Sequence, residues 1–316
     1  MNLGLIGCSK IAAKVLKTLQ NLDEINLFAC ASREKEKLDL FKKEFSFKKT
    51  YLNYEDLINE KEVDFIYITL INTLHYQYIK RCIEKGKAVI CEKPFTMTYK
   101  EAKEVISLAK AKNILLMDAT WTRYMPYIDV LKKIINSNQI GNVYMISANL
   151  GYSLLSADRV TKKELGGGSL LDLGVYPLNF IFSLVGSDYT NLKSTAKIVD
   201  EVERSEVTTF NYPNGLIGLI YSTIEGDTNN TGYIYGDKGY IKVKDVNNPS
   251  LIEVYETDGK LLSTIKLTHQ YSGYEYEFIE LIDLIKNKKV ESPKYPHKEI
   301  LKVQLTLDKI KESYLN

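Results

Sequence analysis

Cysteine, histidine and tryptophan are scarce in this chain, and what they fail to form narrows its chemistry. Its 316 residues hold four cysteines, three histidines and one tryptophan. Cys8, Cys30, Cys82 and Cys91 all fall in the first third without C-x-x-C spacing, and the histidines are scattered. Neither a zinc site nor a disulfide framework is expected. A surplus of one charge is missing too. With 42 Lys and Arg interleaved among 40 Asp and Glu, the formal net charge is only +2, and nothing calls for nucleic acid. No apolar run is expected to reach the length of a membrane span, and the N-terminus lacks the pattern of a signal peptide. These absences together imply a reduced, cytoplasmic setting with no metal and no membrane.

What is present is an ordinary globular composition, 45% hydrophobic and 26% charged. A chain this long outgrows one core, so two domains are expected. Up to about Thr120 the sequence alternates short apolar runs with helical patterns. The runs are "LGLIG", "NLFACAS", "DFIYITL", "AVICE" and "ILLMDA". Continuous apolar strands between helices are buried on both faces, so residues 1–120 read as a doubly wound parallel α/β sheet. From residue 121 to 316 the style changes. Tyr, Ile, Thr and Val crowd strands paired about Pro-Asn-Gly and Gly-Asp-Lys-Gly turns, and helical patterns return near the end. This half reads as an α+β domain with an open, mostly antiparallel sheet.

"GLIGCSKIA" joins the first strand to the first helix. Against the dinucleotide pattern G-x-G-x-x-G, Gly7 takes the first position, Ser9 the second and Ala12 the third. The first glycine makes the tight turn, and a small second residue lets backbone approach a pyrophosphate at the helix N-terminus. The second strand ends "ASREKEK", where NAD-selecting domains normally carry Asp or Glu. Ser32 stands there instead, with Arg33 and Lys37 after it. Two cations and no strand-tip carboxylate suit a ribose 2′-phosphate, so NADP(H) is favoured and NAD(H) stays possible. A solvated basic helix start is the alternative, with Glu34 and Glu36 in its favour.

Four stretches, "GLIGCSKIA", "INTLHYQYIKRCIEKGKAVICEKP", "MDATWTRYMP" and "GGGSLLDLGVYPLNF", with "ESPKYPHKE" near the end, resemble the Gfo/Idh/MocA oxidoreductase family over essentially the whole chain. "ATWTRYMP" and the tyrosine of "DLGVYP" are similar to the branch with dimeric dihydrodiol dehydrogenases, NADP-dependent xylose dehydrogenases and glucose-fructose oxidoreductase. Many other members have histidine where this chain has Tyr176, and Ser9 replaces the usual second glycine.

The resemblance implies a cofactor site drawn from Gly7, Ser9, Lys10, Ile11, Ser32, Arg33, Lys37, Asn72, His75, Glu92 and Lys93, with Trp121 and Arg123 lining its nicotinamide end or clamping the substrate, a hinge-packing tryptophan being the alternative. It places the lysine of "CEKP" beside nicotinamide and substrate. Lys93 also follows a parallel strand at its carboxyl end, where ligands bind in such sheets, and Lys93–Pro94 is a candidate cis peptide. Catalysis is expected from Tyr176 as acid/base, Lys93 as its electrostatic partner and Asp172 as an orienting group. Pro177 implies a kink or first turn in their helix. Arg159 could reach a substrate anion, while His269 and His297 read as structural or surface residues.

The expected function is NADP(H)-dependent hydride transfer to or from a secondary hydroxyl or ketone of a sugar, nucleotide-linked sugar or cyclic diol. The alternatives are a trans-dihydrodiol dehydrogenase acting on apolar rings, an NAD-dependent glycosidase-like enzyme, and a non-catalytic cofactor-binding regulator. The expected partners are a sugar-like small molecule and a second copy of the chain, in a homodimer or homotetramer through the C-terminal sheet.

Overall fold

Short runs apolar on both faces form the first sheet. The computed structural model of the protein describes residues 1–315; Asn316, the last residue of the expected second domain, lies outside them. Strands β1 (Asn2–Ile6), β2 (Asn26–Ala31), β3 (Lys49–Tyr51), β4 (Phe65–Ile68), β5 (Ala88–Glu92) and β6 (Leu116–Ala119) are parallel, in the order β3-β2-β1-β4-β5-β6. Helices α1 (Lys10–Leu19), α2 (Lys35–Phe45), α3 (Tyr54–Ile58), α4 (His75–Glu84) and α5 (Tyr99–Lys112) alternate with them. Strand order reverses beside β1, which is where a dinucleotide binds in this topology. β4 is buried at every position, as a central parallel strand must be.

The chain continues through α6 (Tyr127–Asn136), β7 (Val143–Gly151), α7 (Asp158–Thr161), a π-helical turn at Leu170–Gly174 and α8 (Val175–Val185). Seven strands follow: β8 (Asn191–Val199), β9 (Val202–Asn211), β10 (Ile217–Thr223), β11 (Thr231–Gly236), β12 (Gly239–Lys244), β13 (Leu251–Glu256) and β14 (Leu261–Lys266). The eight-stranded sheet runs β14-β13-β12-β11-β7-β10-β9-β8 and is antiparallel except where β7 meets β10. Its strands alternate, with Ile220, Ile234, Ile241, Val243 and Val254 fully buried on the inner face. α8 packs on β7 and β10. Lys163–Val185 is long and apolar enough to pass as a membrane span, contrary to the sequence expectation. Its apolar window is 78% buried within the fold, which makes it core.

Two helices close the chain, α9 (Glu275–Lys286) and α10 (His297–Leu315). By contacts the first compact unit is Met1–Tyr124 with Gln270–Leu301, and the second is Met125–His269 with the chain from Lys302 onward. The break near residue 120 therefore falls within a few residues of the expected one, but residues 270–301 leave the second domain and rejoin the first. Packing explains the return. The Phe278 ring meets Tyr67 edge-on at 5.3 Å, and the backbone of Leu116 donates to Val290 at 3.1 Å.

Candidate active site

In the first unit the turn after β1 is built around Gly7, whose φ is +100°. A Cβ there would meet the Thr69 carbonyl at 3.1 Å, so only glycine fits. The Gly7 N–H donates to Ala31 at 3.0 Å, and the Thr69 hydroxyl donates to the Gly7 carbonyl at 2.6 Å. Ser9 is the N-cap of α1, its Oγ accepting from the Ala12 N–H at 3.2 Å. Ala12, in the third glycine position, is fully buried. No acidic residue occupies the first turn of α1, so its amide end suits a pyrophosphate. Lys10 is exposed there and Ile11 half-buried.

Sequence reasoning passed over Cys8 in this turn. Its thiol faces Cys30 and Ser32, whose hydrogen bonds hold it below the usual thiol range against opposing burial. At the tip of β2, Ser32 is buried and its Oγ accepts from the Glu34 N–H at 3.1 Å. Arg33 is exposed, 5.8 Å from the Tyr54 ring centre, and makes no ion pair among the described residues. Lys37 pairs with Glu34 at 2.6 Å. Both ends of that pair are exposed, so it is weak and can yield to a phosphate.

Asn72 opens the short turn after β4. His75 begins α4 and is fully buried. Its Nδ1 lies 2.8 Å from the Pro94 carbonyl and its Nε2 3.0 Å from that of Leu70. Burial holds its pKa below the usual value. A neutral ring carries one N–H, so His75 donates to one of these carbonyls and lies against the other, stapling the turn after β5 to the one after β4. At the end of β5 Glu92 is buried and accepts from the Tyr67 hydroxyl. Lys93 is half-buried, and the Lys93–Pro94 peptide is cis.

Asp118, on β6 beside β5, is 2% exposed, and burial pushes its pKa up to about 7. The Thr120 hydroxyl donates to it at 2.7 Å. Trp121 stacks on Tyr274 with ring centres 4.0 Å apart. Arg123 is buried, with its guanidinium 4.4 Å from the Tyr295 ring centre and Nη2 3.9 Å from Glu299. Both residues are thus packed inside the first unit. His297 is structural, its Nε2 2.9 Å from the Leu116 carbonyl.

The second unit holds "GGGSLLDLGVYP". Gly168 has φ +125°, and a Cβ on it would strike the Glu203 carboxylate. That carboxylate accepts from the Leu170 N–H at 3.2 Å and caps the π-helical turn. The Val175 N–H reaches back to Leu170, the longer spacing of a π turn. Such turns often mark functional positions, and nothing in sequence periodicity announces them. Asp172 and Tyr176 come from this turn and the start of α8, at 7% and 9% exposure. Asp172 accepts from Arg159 Nη1 at 2.6 Å. Pro177, third in α8, donates no N–H to the turn before it.

Known proteins fit this arrangement. Residues 1–119 match the oxidoreductase family with an NAD-binding Rossmann fold, and residues 128–242 match the Gfo/Idh/MocA C-terminal domain. The D-xylose 1-dehydrogenase (NADP+) of Hypocrea jecorina is 30% identical over 294 residues, 82% of this chain and 75% of that protein. The trans-1,2-dihydrobenzene-1,2-diol dehydrogenase of Xenopus tropicalis is 29% identical over 256 residues, 79% of this chain and 78% of that protein. A solved 3-ketoreductase from Actinomadura kijaniata, in complex with NADP and TDP-benzene, superposes with a TM-score of 0.92 at 20% identity, covering 99% and 98% of the two chains. That likeness shows the shared fold. With a glycine turn and capped helix fit for a dinucleotide, and both characteristic domains matched in order, the chain belongs to the Gfo/Idh/MocA family of oxidoreductases.

Proposed function

We propose that the protein is an NADP(H)-dependent oxidoreductase that interconverts a secondary hydroxyl and a ketone on a sugar, a nucleotide-linked sugar or a cyclic diol. The observation that carries this reading is the strand-end lysine. Lys93 follows buried Glu92, and the turn after it is stapled by His75. Relatives near 30% identity are named for diol and xylose oxidation, which fits a hydroxyl-bearing carbon as the reacting centre.

Gly7, Ser9 and the α1 N-terminus would hold the pyrophosphate, and Arg33, with Lys37 released from Glu34, the 2′-phosphate. When bound, the nicotinamide supplies or accepts the hydride. Tyr176 handles the hydroxyl proton. A phenol with its ordinary pKa near ~10 is a weak base at neutral pH, and a neighbouring ammonium favours the phenolate. Lys93 supplies that charge and steadies alkoxide character on the reacting oxygen. Asp172, held by Arg159, orients the substrate or Lys93.

The outer face of the second sheet supports self-association. Tyr233, Tyr235, Tyr240 and Tyr255 form a ladder there, Tyr240 and Tyr255 stacking at 4.8 Å. We read this face as the homodimer or homotetramer contact. Light scattering after size exclusion should show more than one chain; a monomer at micromolar concentration refutes it. A cytoplasmic setting fits four free, buried thiols.

The test of function is a panel of keto-sugars, aldoses, nucleotide-linked sugars and trans-dihydrodiols, followed at the NADPH absorbance. Turnover of at least one class is expected. Cofactor binding without turnover of any would favour a regulator.

A further inference from the structure

At Glu92, next to Lys93 in the chain, begins a set of buried acids that the mechanism above leaves unused. Glu92 on β5, Asp118 on β6 and Glu277 on α9 are 7%, 2% and 0% exposed. Two have visible support: the Tyr67 hydroxyl donates to Glu92, and the Thr120 hydroxyl donates to Asp118. Glu277 has none. Both its carboxyl oxygens are buried without a hydrogen-bonding partner among the described residues. Glu275, two residues earlier and equally buried, accepts from the N–H groups of Tyr271, Ser272 and Gly273. The contrast shows that helix capping does not explain Glu277.

An unpaired ionised carboxylate in such a place is costly, and an apolar side chain of similar size would serve packing better. The nearby charges do not remove the difficulty. Glu92 and Asp118 both oppose ionisation of Glu277, as does burial. The guanidinium of Arg123, whose charge acts on Asp118, leaves its own Nε and Nη1 buried without a partner among the described residues. The remaining titratable groups around the set are the Cys91 thiol, the phenols of Tyr67, Tyr124, Tyr274 and Tyr295 and the acid Glu280. No cation among these satisfies Glu277.

We propose that Glu277 is a positioning residue that keeps a proton within the buried Glu92–Asp118–Glu277 set and so limits the negative charge that begins next to Lys93. This rests on reading Lys93 as the active-site cation. With the proton in place, the ammonium stays available to the reacting oxygen. As the set ionises at higher pH, the ammonium is drawn back toward it.

The test uses the full chain with Glu277→Gln, close in shape and always neutral, and Glu277→Leu as a second variant. Denaturant unfolding is followed from about pH 5 to 8. The free acid ionises on unfolding while the native group keeps its proton, so native stability falls with pH in the wild type through this group. The ratio of folding constants, variant over wild type, should therefore rise by up to about tenfold per pH unit. A ratio constant across the window overturns the proposal. In the second arm, kcat is followed against pH. Both variants should move the alkaline limb by at least about half a pH unit, with KM for NADPH nearly unchanged, because the charge of the set no longer changes through Glu277. An unmoved limb also overturns it. Lys93→Ala separates the two readings. If it leaves turnover intact, the role of Lys93 falls, while the unfolding arm still decides whether Glu277 holds the proton.

Discussion

Ser32 occupies the place at the tip of β2 where an NAD-selecting domain would carry a carboxylate, and its hydroxyl is turned onto the backbone of Glu34. That leaves Arg33, exposed and with no ion pair among the described residues, as the cation able to meet a 2′-phosphate. Loss of a charge-assisted contact of this kind costs about 1.5–3 kcal/mol. Arg33→Ala should therefore raise KM for NADP by roughly 10- to 100-fold, and leave KM for NAD nearly unchanged. Steady-state kinetics with each cofactor checks it, and equal effects on both would show that no phosphate is held there. The candidate site residues were picked one by one from motifs, which fix their neighbours in the chain. Their partners were not. Sequence cannot show that His75 lies between two backbone carbonyls, or that Asp172 is paired with Arg159, since those contacts join residues set by three-dimensional packing.

Among the elements, the β1–α1 turn is the most tightly specified. Gly7 has a positive φ and the Thr69 carbonyl beside it. A side chain there both strains the backbone and displaces β4 from the turn, at a cost of about 1–3 kcal/mol. Gly7→Ala should lower the thermal midpoint and weaken NADPH binding in a fluorescence titration. Unchanged affinity would mean that the turn is not the cradle. Alternating apolar runs and helical patterns made the main strands of the first sheet and the β9–β10 and β11–β12 pairs of the second readable, but not the β13–β14 pair. The three-residue β3 was too short to register. β8 hides because its face alternates among small and charged residues, "NLKSTAKIV". The π turn at Leu170–Gly174 has no periodic signature, and α9 looks like any amphipathic helix. Its contacts, such as Phe278 against Tyr67, reveal which core it joins.

For the whole molecule, buried acids set the pH dependence of stability. Burial raises Asp118 and Glu206 to about 7 each. A raised acid favours the folded state below its unfolded pKa of about 4, and that stability is lost as pH rises through 7. Glu60 acts oppositely. Its hydrogen bonds from Tyr51 and Lys49 lower it to about 2, so its contribution is present above the usual carboxylate range and fades as pH falls toward 2. The denaturant midpoint should thus be highest near pH 5 and decline toward pH 8, and Glu206→Gln should reduce the slope by up to about 1.4 kcal/mol per pH unit. A midpoint that climbs from pH 5 to 8 would contradict this.

The catalytic assignment is tested most directly by turnover of Tyr176→Phe on a confirmed substrate, with NADPH affinity and the thermal midpoint measured alongside. Removing a positioned acid/base typically loses ~10²–10⁴-fold in kcat. That loss is expected with folding and cofactor binding nearly intact. Combined with Lys93→Ala, the loss should be much smaller than the product of the two single losses, because the ammonium acts partly through the phenol. Near-wild-type turnover by Tyr176→Phe would contradict the account and send the proton through another group.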